Sequence, residues 1–354
     1  MLVTILIFIG VLAGIIIAHE LGHFITAKLS GVQVKEFGVG LPPRLFSVRR
    51  GETIYSLNAI PLGGFNKLSG EEDPDAPRSL AGKPFGIRFL VLSAGSMMNF
   101  LLPLILLTIA FIVPHNMVSG DVLVTGVATD SPAARAGIES GDRIVSVNDK
   151  PVENSSDLQR YIQLGLGNEI SVTVEHADST VEEVQLVPRW TPPEGEGAIG
   201  VVISMPDATV VRQGEPFWRA PFLAVSALAE TLVLFKNAIL SIITGAGTAS
   251  LTLTGPVGIA QMTGEVARAG ISPLFEFAAF LSLNIGIINL FPLPALDGGR
   301  IAFLLLEKAR SGKRVSPRME GLVHLIGFLV LMGILVAVTY NDILRIMSGG
   351  TIAP

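Results

Sequence analysis

The sequence predicts an α-helical polytopic membrane protein with about four transmembrane helices, a membrane-associated β-hairpin region and an inserted soluble α+β domain. Three observations predict it. Of 354 residues, 49% are hydrophobic and only 16% are charged. The apolar residues gather in long uncharged blocks, each long enough to cross a bilayer. Between residues 119 and 204 the composition turns soluble, with turn signals separating alternating strands.

The elements follow in order. Residues 1–29 read as the first span, uncharged as far as residue 18. No Lys or Arg precedes this block and no small-residue cleavage site follows it, so it is expected to be a retained span rather than a signal peptide. Residues 30–87 read as a re-entrant β region on the cytoplasmic side. There "RLFSVRRGETIYSLNAIPLGGF" gives one strand to Arg49, a turn at Arg50-Gly51-Glu52 and a second strand from Thr53 to Ala59. Residues 88–114 form the second span, 271–300 the third and 319–341 the fourth. Residues 216–270 read as an amphipathic interfacial helix and loop, because Glu230 and Lys236 interrupt the apolar stretch 220–244.

Charge sets the orientation. Basic residues crowd the loop from Lys28 to Arg88 and the loop from Arg300 to Arg318. The positive-inside rule puts both in the cytoplasm, which demands an even number of crossings between them. The second and third spans supply two, so the segment from Ala220 is expected on the outer surface. The net charge of −5 argues against a nucleic-acid partner. The absence of cysteine excludes disulfides and thiolate metal sites.

Local signals in the soluble segment are specific. "DSPAARAGI" offers an N-cap at Ser131, Pro132 in the first helical position and Gly137 as a stop. "GDRIVSVNDKPV" reads as a strand with a turn at Asn148-Asp149, "NSSDLQRYIQLGLG" as a capped helix and "EISVTVEH" as a strand. The run "SPAARAGIESGDRIVSVNDKPV" resembles a PDZ domain, which implies an extracytoplasmic PDZ domain over residues 119–204. PDZ domains take peptide ligands by adding a strand to a sheet edge; a spacer that blocks access is the other reading.

The first span holds the chemistry. "HELGH" places His19 and His23 one turn apart on a helical face, so both imidazoles can grip one Zn2+. Glu20 lies beside the first of them, where a carboxylate can take a proton from water attacking at the metal. Ionisable groups at membrane depth mark function. A third protein ligand is needed. Glu36 lies beyond Ser30-Gly31, where the helix should have ended, and is a poor candidate. Asp297 in "NLFPLPALDGG" is better, because a four-span topology brings it to the depth of His19 and His23. Pro292 and Pro294 break the third span there, so the freed backbone should line a cavity. Asn289 offers an amide either to a substrate carbonyl or to an interhelical hydrogen bond.

On "HELGH", "NLFPLPALDGG", the intervening PDZ domain and "IPLGGFNKLSGE" at Ile60 to Glu71, the chain resembles the site-2 protease family of intramembrane zinc metalloproteases, in the bacterial branch with an inserted PDZ domain. The resemblance implies zinc held by His19, His23 and Asp297, Glu20 as general base, and Asn289 and Asn99 near the substrate. It also implies β structure near the zinc, with Gly63, Gly64 and Phe65 bordering the cleft as a strand edge or, alternatively, plugging it. The substrates it implies are single-span membrane proteins within the lipid bilayer of the cytoplasmic membrane: anti-sigma factors already trimmed outside, or signal-peptide remnants. Two departures stand out. Ser96 follows Gly95 where relatives have proline, and Asn66 follows Phe65 where relatives have valine. "LTGPVGIAQ" also matches the family, with no role legible in it. A non-proteolytic zinc-binding membrane protein or transporter remains the alternative function, although it would have little need for Glu20. A zincin acting on soluble or interfacial peptides would need a third ligand on a soluble loop.

Overall fold

The computed structural model of the chain describes residues 2–71, 73–245 and 254–348. Part of the expected interfacial segment, residues 246–253, lies outside them. Contacts divide the chain into two units, Met1–Phe111 with Leu253–Pro354, and Ile112–Thr252.

The first unit opens with α1 (Leu2–Leu29), apolar nearly all round. It buries only Ile15, His19, Gly22 and Ala27 and leaves much of its apolar surface uncovered by protein, as suits a helix that crosses a bilayer. Two long strands follow, β1 (Val34–Arg50) and β2 (Thr53–Leu68). They are longer than the expected hairpin, and their turn is Gly51-Glu52 alone, with Arg50 pairing Thr53. The breakers that seemed to end the strands sit in irregularities instead. Pro42 and Pro43 fall between the pairs Leu41–Ile60 and Arg44–Asn58, and Pro61 to Gly63 fall between Leu41–Ile60 and Val39–Gly64. Bulges tolerate residues that cannot donate to a ladder. Residues 36–39 consequently lie between two stretches of β2, pairing residues 54–57 on one side and 64–67 on the other. Among the described residues, 64–67 pairs with no strand on its far side. The helix α2 (Phe85–Ile112) then packs beside α1, over a small core of Ala27, Val32, Val34, Leu68, Leu80 and Val91.

The second unit contains β3 (His115–Ser119), β4 (Val122–Val127), α3 (Pro132–Arg135), β5 (Arg143–Val147), β6 (Lys150–Pro151), α4 (Ser155–Leu164), β7 (Ile170–Glu175), β8 (Val181–Leu186), β9 (Val201–Ser204), β10 (Thr209–Gln213) and α5 (Ala220–Thr244). Strands run in the order β8-β7-β5-β4-β9, with β6 on β5 and a separate β10–β3 ribbon. Inward residues such as Val122, Val124, Ile144, Val172 and Val174 form an aliphatic core with Leu158 and Ile162 of α4. Ser131 Oγ caps α3 at Ala134 N–H, and Asn154 caps α4 at Asp157 N–H. Asn148 and Asp149 both adopt positive φ in the β5–β6 turn. On α5, Glu230 accepts from Lys150 at 2.5 Å and Asn237 donates to the Gln163 carbonyl at 2.8 Å. Glu230 and Asn237 of α5 are therefore partnered by the soluble domain.

The chain returns to the first unit with α6 (Pro256–Ala269), α7 (Ile271–Leu290), α8 (Asp297–Ala309) and α9 (Pro317–Met347). The expected third span over 271–300 is two helices: α7 stops at Leu290, and residues 291–296 cross to a new helix that Asp297 begins. Gly298 and Gly299 allow this, since a Cβ on either would strike the carbonyl oxygens of Phe291 and Leu293 at 2.0 and 2.4 Å. The "GPVG" stretch also gains an account. Asp342 of α9, 1% exposed, accepts from the Gly258 N–H in the first turn of α6 at 2.8 Å, while Arg345 holds its other oxygen. A carboxylate delivered across the fold thus caps α6, which has no side-chain cap of its own. Five described helices are long and apolar enough to cross a membrane, α1, α2, α7 and α9 over the four expected spans and α5 over the segment expected at the surface. The whole is a mixed fold of helices and strands with several long apolar helices.

Candidate metal centre

His19 and His23 leave the same face of α1 and meet α2, where the two helices approach closely. A Cβ on Gly22 would lie 2.2 Å from the Ala94 carbonyl oxygen. A Cβ on Gly95 would lie 2.2 Å from His23 Nε2 and 2.7 Å from His19 Cε1. Glycine at both positions is what admits the imidazoles. Asp297 enters from the start of α8. Its Oδ2 lies 3.2 Å from His19 Nε2 and 3.1 Å from His23 Nε2. One ligand atom from each residue falls within 4.8 Å of the others.

The far nitrogens decide what this cluster suits. His23 Nδ1 donates to the Val91 carbonyl at 2.7 Å. In its neutral form the ring then aims a bare lone pair at a carboxylate oxygen, an arrangement that a shared cation relieves. His19 is held the same way, with Nδ1 3.3 Å from the carboxamide of the fully buried Asn99. Asn99 Oδ1 otherwise lacks a partner, and turning the amide over places that oxygen on Nδ1–H. Two imidazoles with tied outer nitrogens and one carboxylate are a donor set that zinc accepts. The residues fit a zinc ion.

Glu20 faces the hairpin. Asn66 Nδ2 donates to Glu20 Oε2 at 2.6 Å and to the Glu20 carbonyl at 2.8 Å. Gly64 lies so near that a Cβ there would come 2.7 Å from Glu20 Cγ. A cavity of about 200 Å³ opens here, walled by His19, Glu20, His23, Asp297, Gly64, Phe65 and Asn66 among others.

The chain also matches a family model and several named relatives. The model of Peptidase family M50 matches residues 7–334. The chain belongs to that family. A Clostridium acetobutylicum protein carrying a zinc metalloprotease name is 35% identical over 93% of this chain and 94% of its own. Zinc metalloprotease RasP of Geobacillus kaustophilus is 30% identical, covering 96% of this chain and 97% of its own. Regulator of sigma-W protease RasP of Bacillus subtilis is 28% identical, covering 97% and 99%. This M50 peptidase is an intramembrane zinc metalloprotease.

Some expected site residues take other places. Asn99 touches His19 rather than open space, because it is fully buried where α2 meets α1 and α7. Gly63 lies in the bulge, outside the cavity wall, with φ 107°. Asn289 also lies outside the wall. The helical phase of α7 puts it on the face that Ser282 and Gly286 turn toward α2, and its side chain makes no hydrogen bond among the described residues. Sequence reasoning missed Asn66, Gly95 and Arg300 at this site. The signal for Asn66 was present as a departure, an amide where the resemblance leads one to expect valine. Gly95 carried only the weak signal of a glycine inside an apolar helix.

Proposed function

We propose that His19, His23 and Asp297 hold the zinc ion of this M50 peptidase and that Glu20 is its general base. The observation that carries this is the convergence of both Nε2 atoms on Asp297 Oδ2, with both Nδ1 atoms turned to other partners. Zinc supplies Lewis-acid activation of water and of the scissile carbonyl. Glu20, fixed by Asn66, takes the proton of the attacking water and passes it to the leaving amine. Gly64 and Phe65, on the unpaired edge of residues 64–67, accept an extended substrate as an added strand. Asn289 contacts the substrate backbone farther along α7. A substrate helix must unwind to expose its peptide bond, and the strand edge satisfies the backbone groups so released.

The substrates are single-span membrane proteins. The name of the Bacillus subtilis relative favours the anti-sigma class over signal-peptide remnants. The peptidase sits in the cytoplasmic membrane with α1, α2, α7 and α9 crossing it. Residues 119–204 form an extracytoplasmic PDZ domain open to a peptide ligand. The contacts of Glu230 and Asn237 with that domain favour α5 as a helix along the outer surface, since its middle cannot hold a water-exposed domain from the bilayer core.

Glu20→Gln tests the reading against zinc carriage. Cleavage of a single-span substrate should fall about 10²–10⁴-fold while zinc content stays at the wild-type level. Undiminished cleavage in that variant would refute the role of Glu20.

A further inference from the structure

The zinc cavity has a neighbour. A second cavity of about 330 Å³ lies against it, lined by Glu71, Arg88, Phe303, Glu307, Arg314 and His324 among others. The two share Leu92 and Arg300 as a common wall. Arg300 stands three residues after Asp297, on the same face of α8. Of the residues that wall the zinc cavity, it is the only lysine or arginine.

The partners of the three arginines differ. Arg88 and Arg314 both bind Glu307, at 2.8 and 3.1 Å, and Arg314 also donates to the Ala81 carbonyl. Arg300 Nη1 instead meets Glu71 Oε2 at 2.9 Å, with the Arg300 side chain half exposed. Glu71 is anchored independently, because its Oε1 accepts from the Leu68 N–H at 3.1 Å. Half-exposed ion pairs of this kind are weak and exchange partners. A guanidinium is also the cation best shaped to take a carboxylate with two parallel hydrogen bonds.

Hydrolysis makes such a carboxylate at this place. The oxygen of water joins the acyl carbon, the C–N bond breaks and the nitrogen leaves carrying both protons of the water. One fragment ends in a carboxylate and the other in an ammonium group. We propose that Arg300 is a carboxylate subsite: it releases Glu71 to receive the new C-terminal carboxylate of the acyl fragment and draws it from the zinc cavity toward the charged cavity. This rests on the proteolytic reading of the zinc site.

The probe is a short apolar fluorescent peptide, with either a free C-terminal carboxylate or a C-terminal amide. Binding is measured to the full chain in detergent after metal removal, so that zinc cannot select the carboxylate. The carboxylate form should bind about tenfold more tightly, the discrimination expected of one charge-assisted bidentate contact. Arg300→Gln should erase the preference. Glu71→Gln, which frees Arg300 and leaves it in place, should enlarge it. Equal binding of the two peptides to the wild-type chain, a preference that survives Arg300→Gln, or no gain in Glu71→Gln would each overturn the subsite. Cleavage of a single-span substrate by the zinc-loaded wild type is run alongside. Cleavage without carboxylate preference defeats the subsite alone, and carboxylate preference without cleavage defeats the proteolytic reading alone.

Discussion

Two regions of the molecule set histidine against aspartate, with different chemical results. In the cradle, His19 and His23 turn Nε2 toward Asp297 and give Nδ1 to a carboxamide and a backbone carbonyl. In the soluble domain, His176 gives Nδ1 to Asp142 at 2.9 Å and Nε2 to Glu182 at 3.4 Å. Two carboxylates favour a proton on each ring nitrogen, so the contacts of His176 suit an ion pair with the imidazolium form. A neutral oxygen on the outer nitrogen asks for one proton only and leaves the inner lone pair for a metal. The partner of the second nitrogen, rather than the histidine–aspartate contact, separates a ligand from an ion pair.

Removing the shared carboxylate breaks the comparison most severely. Asp297→Ala leaves two imidazoles facing a gap, and zinc content and cleavage should both be lost. Metal analysis of purified protein measures the first and a single-span substrate the second. Full zinc in that variant would mean another residue is the third ligand. Gly95→Val acts on the same rings without touching a donor atom. Its side chain would enter the space of His23 Nε2 and His19 Cε1. Zinc affinity in a chelator competition should fall at least 10–100-fold, the range for losing outer support of a metal ligand. His176 has no such helix against it, so the effect belongs to the cradle alone. Asn66→Leu is milder. It keeps both histidines and the Glu20 carboxylate but releases that carboxylate, so kcat should fall about tenfold, less than the roughly 10²-fold lower bound for losing the base itself, with zinc affinity unchanged.

The contrast also shows what was legible beforehand. The soluble domain follows local rules. Ser131 and Asn154 cap helices, Asn148-Asp149 turns a hairpin, and alternation marks β7, all within a few residues of sequence. The motif residues His19, Glu20, His23 and Asp297 were legible because their spacing and membrane depth are themselves chemical statements. Their support was not. Val91, Gly95 and Asn99 reach the imidazoles only through the crossing of α2 with α1, and Asn66 reaches Glu20 only because bulges carry β2 past Pro61. The hairpin was read short because proline and glycine signal strand ends locally, while a bulged ladder absorbs them. Asn289 offered an amide donor in the sequence, and the six residues between α7 and α8 set it apart from the cavity wall, so its reach to substrate is not legible from its spacing to Asp297.

The smallest expected effect sharpens the other side of the comparison. Asp142, buried against His176, holds the imidazole above its ordinary pKa, with Glu182 adding to the effect. A raised folded-state pKa means that the ion pair stabilises the domain fully below the unfolded-state value of about 6.5. That contribution fades as pH climbs through the higher folded-state value. Unfolding can be followed through Trp190, with Trp218→Phe silencing the chain's other tryptophan. In this background the unfolding temperature should decline as pH rises above about 6.5. His176→Gln cannot be protonated and should flatten that decline while leaving zinc content untouched. A decline of equal size in His176→Gln would mean that the ring is neutral in the folded domain, and the distinction between the two histidine–aspartate contacts would then rest on burial rather than on the second nitrogen.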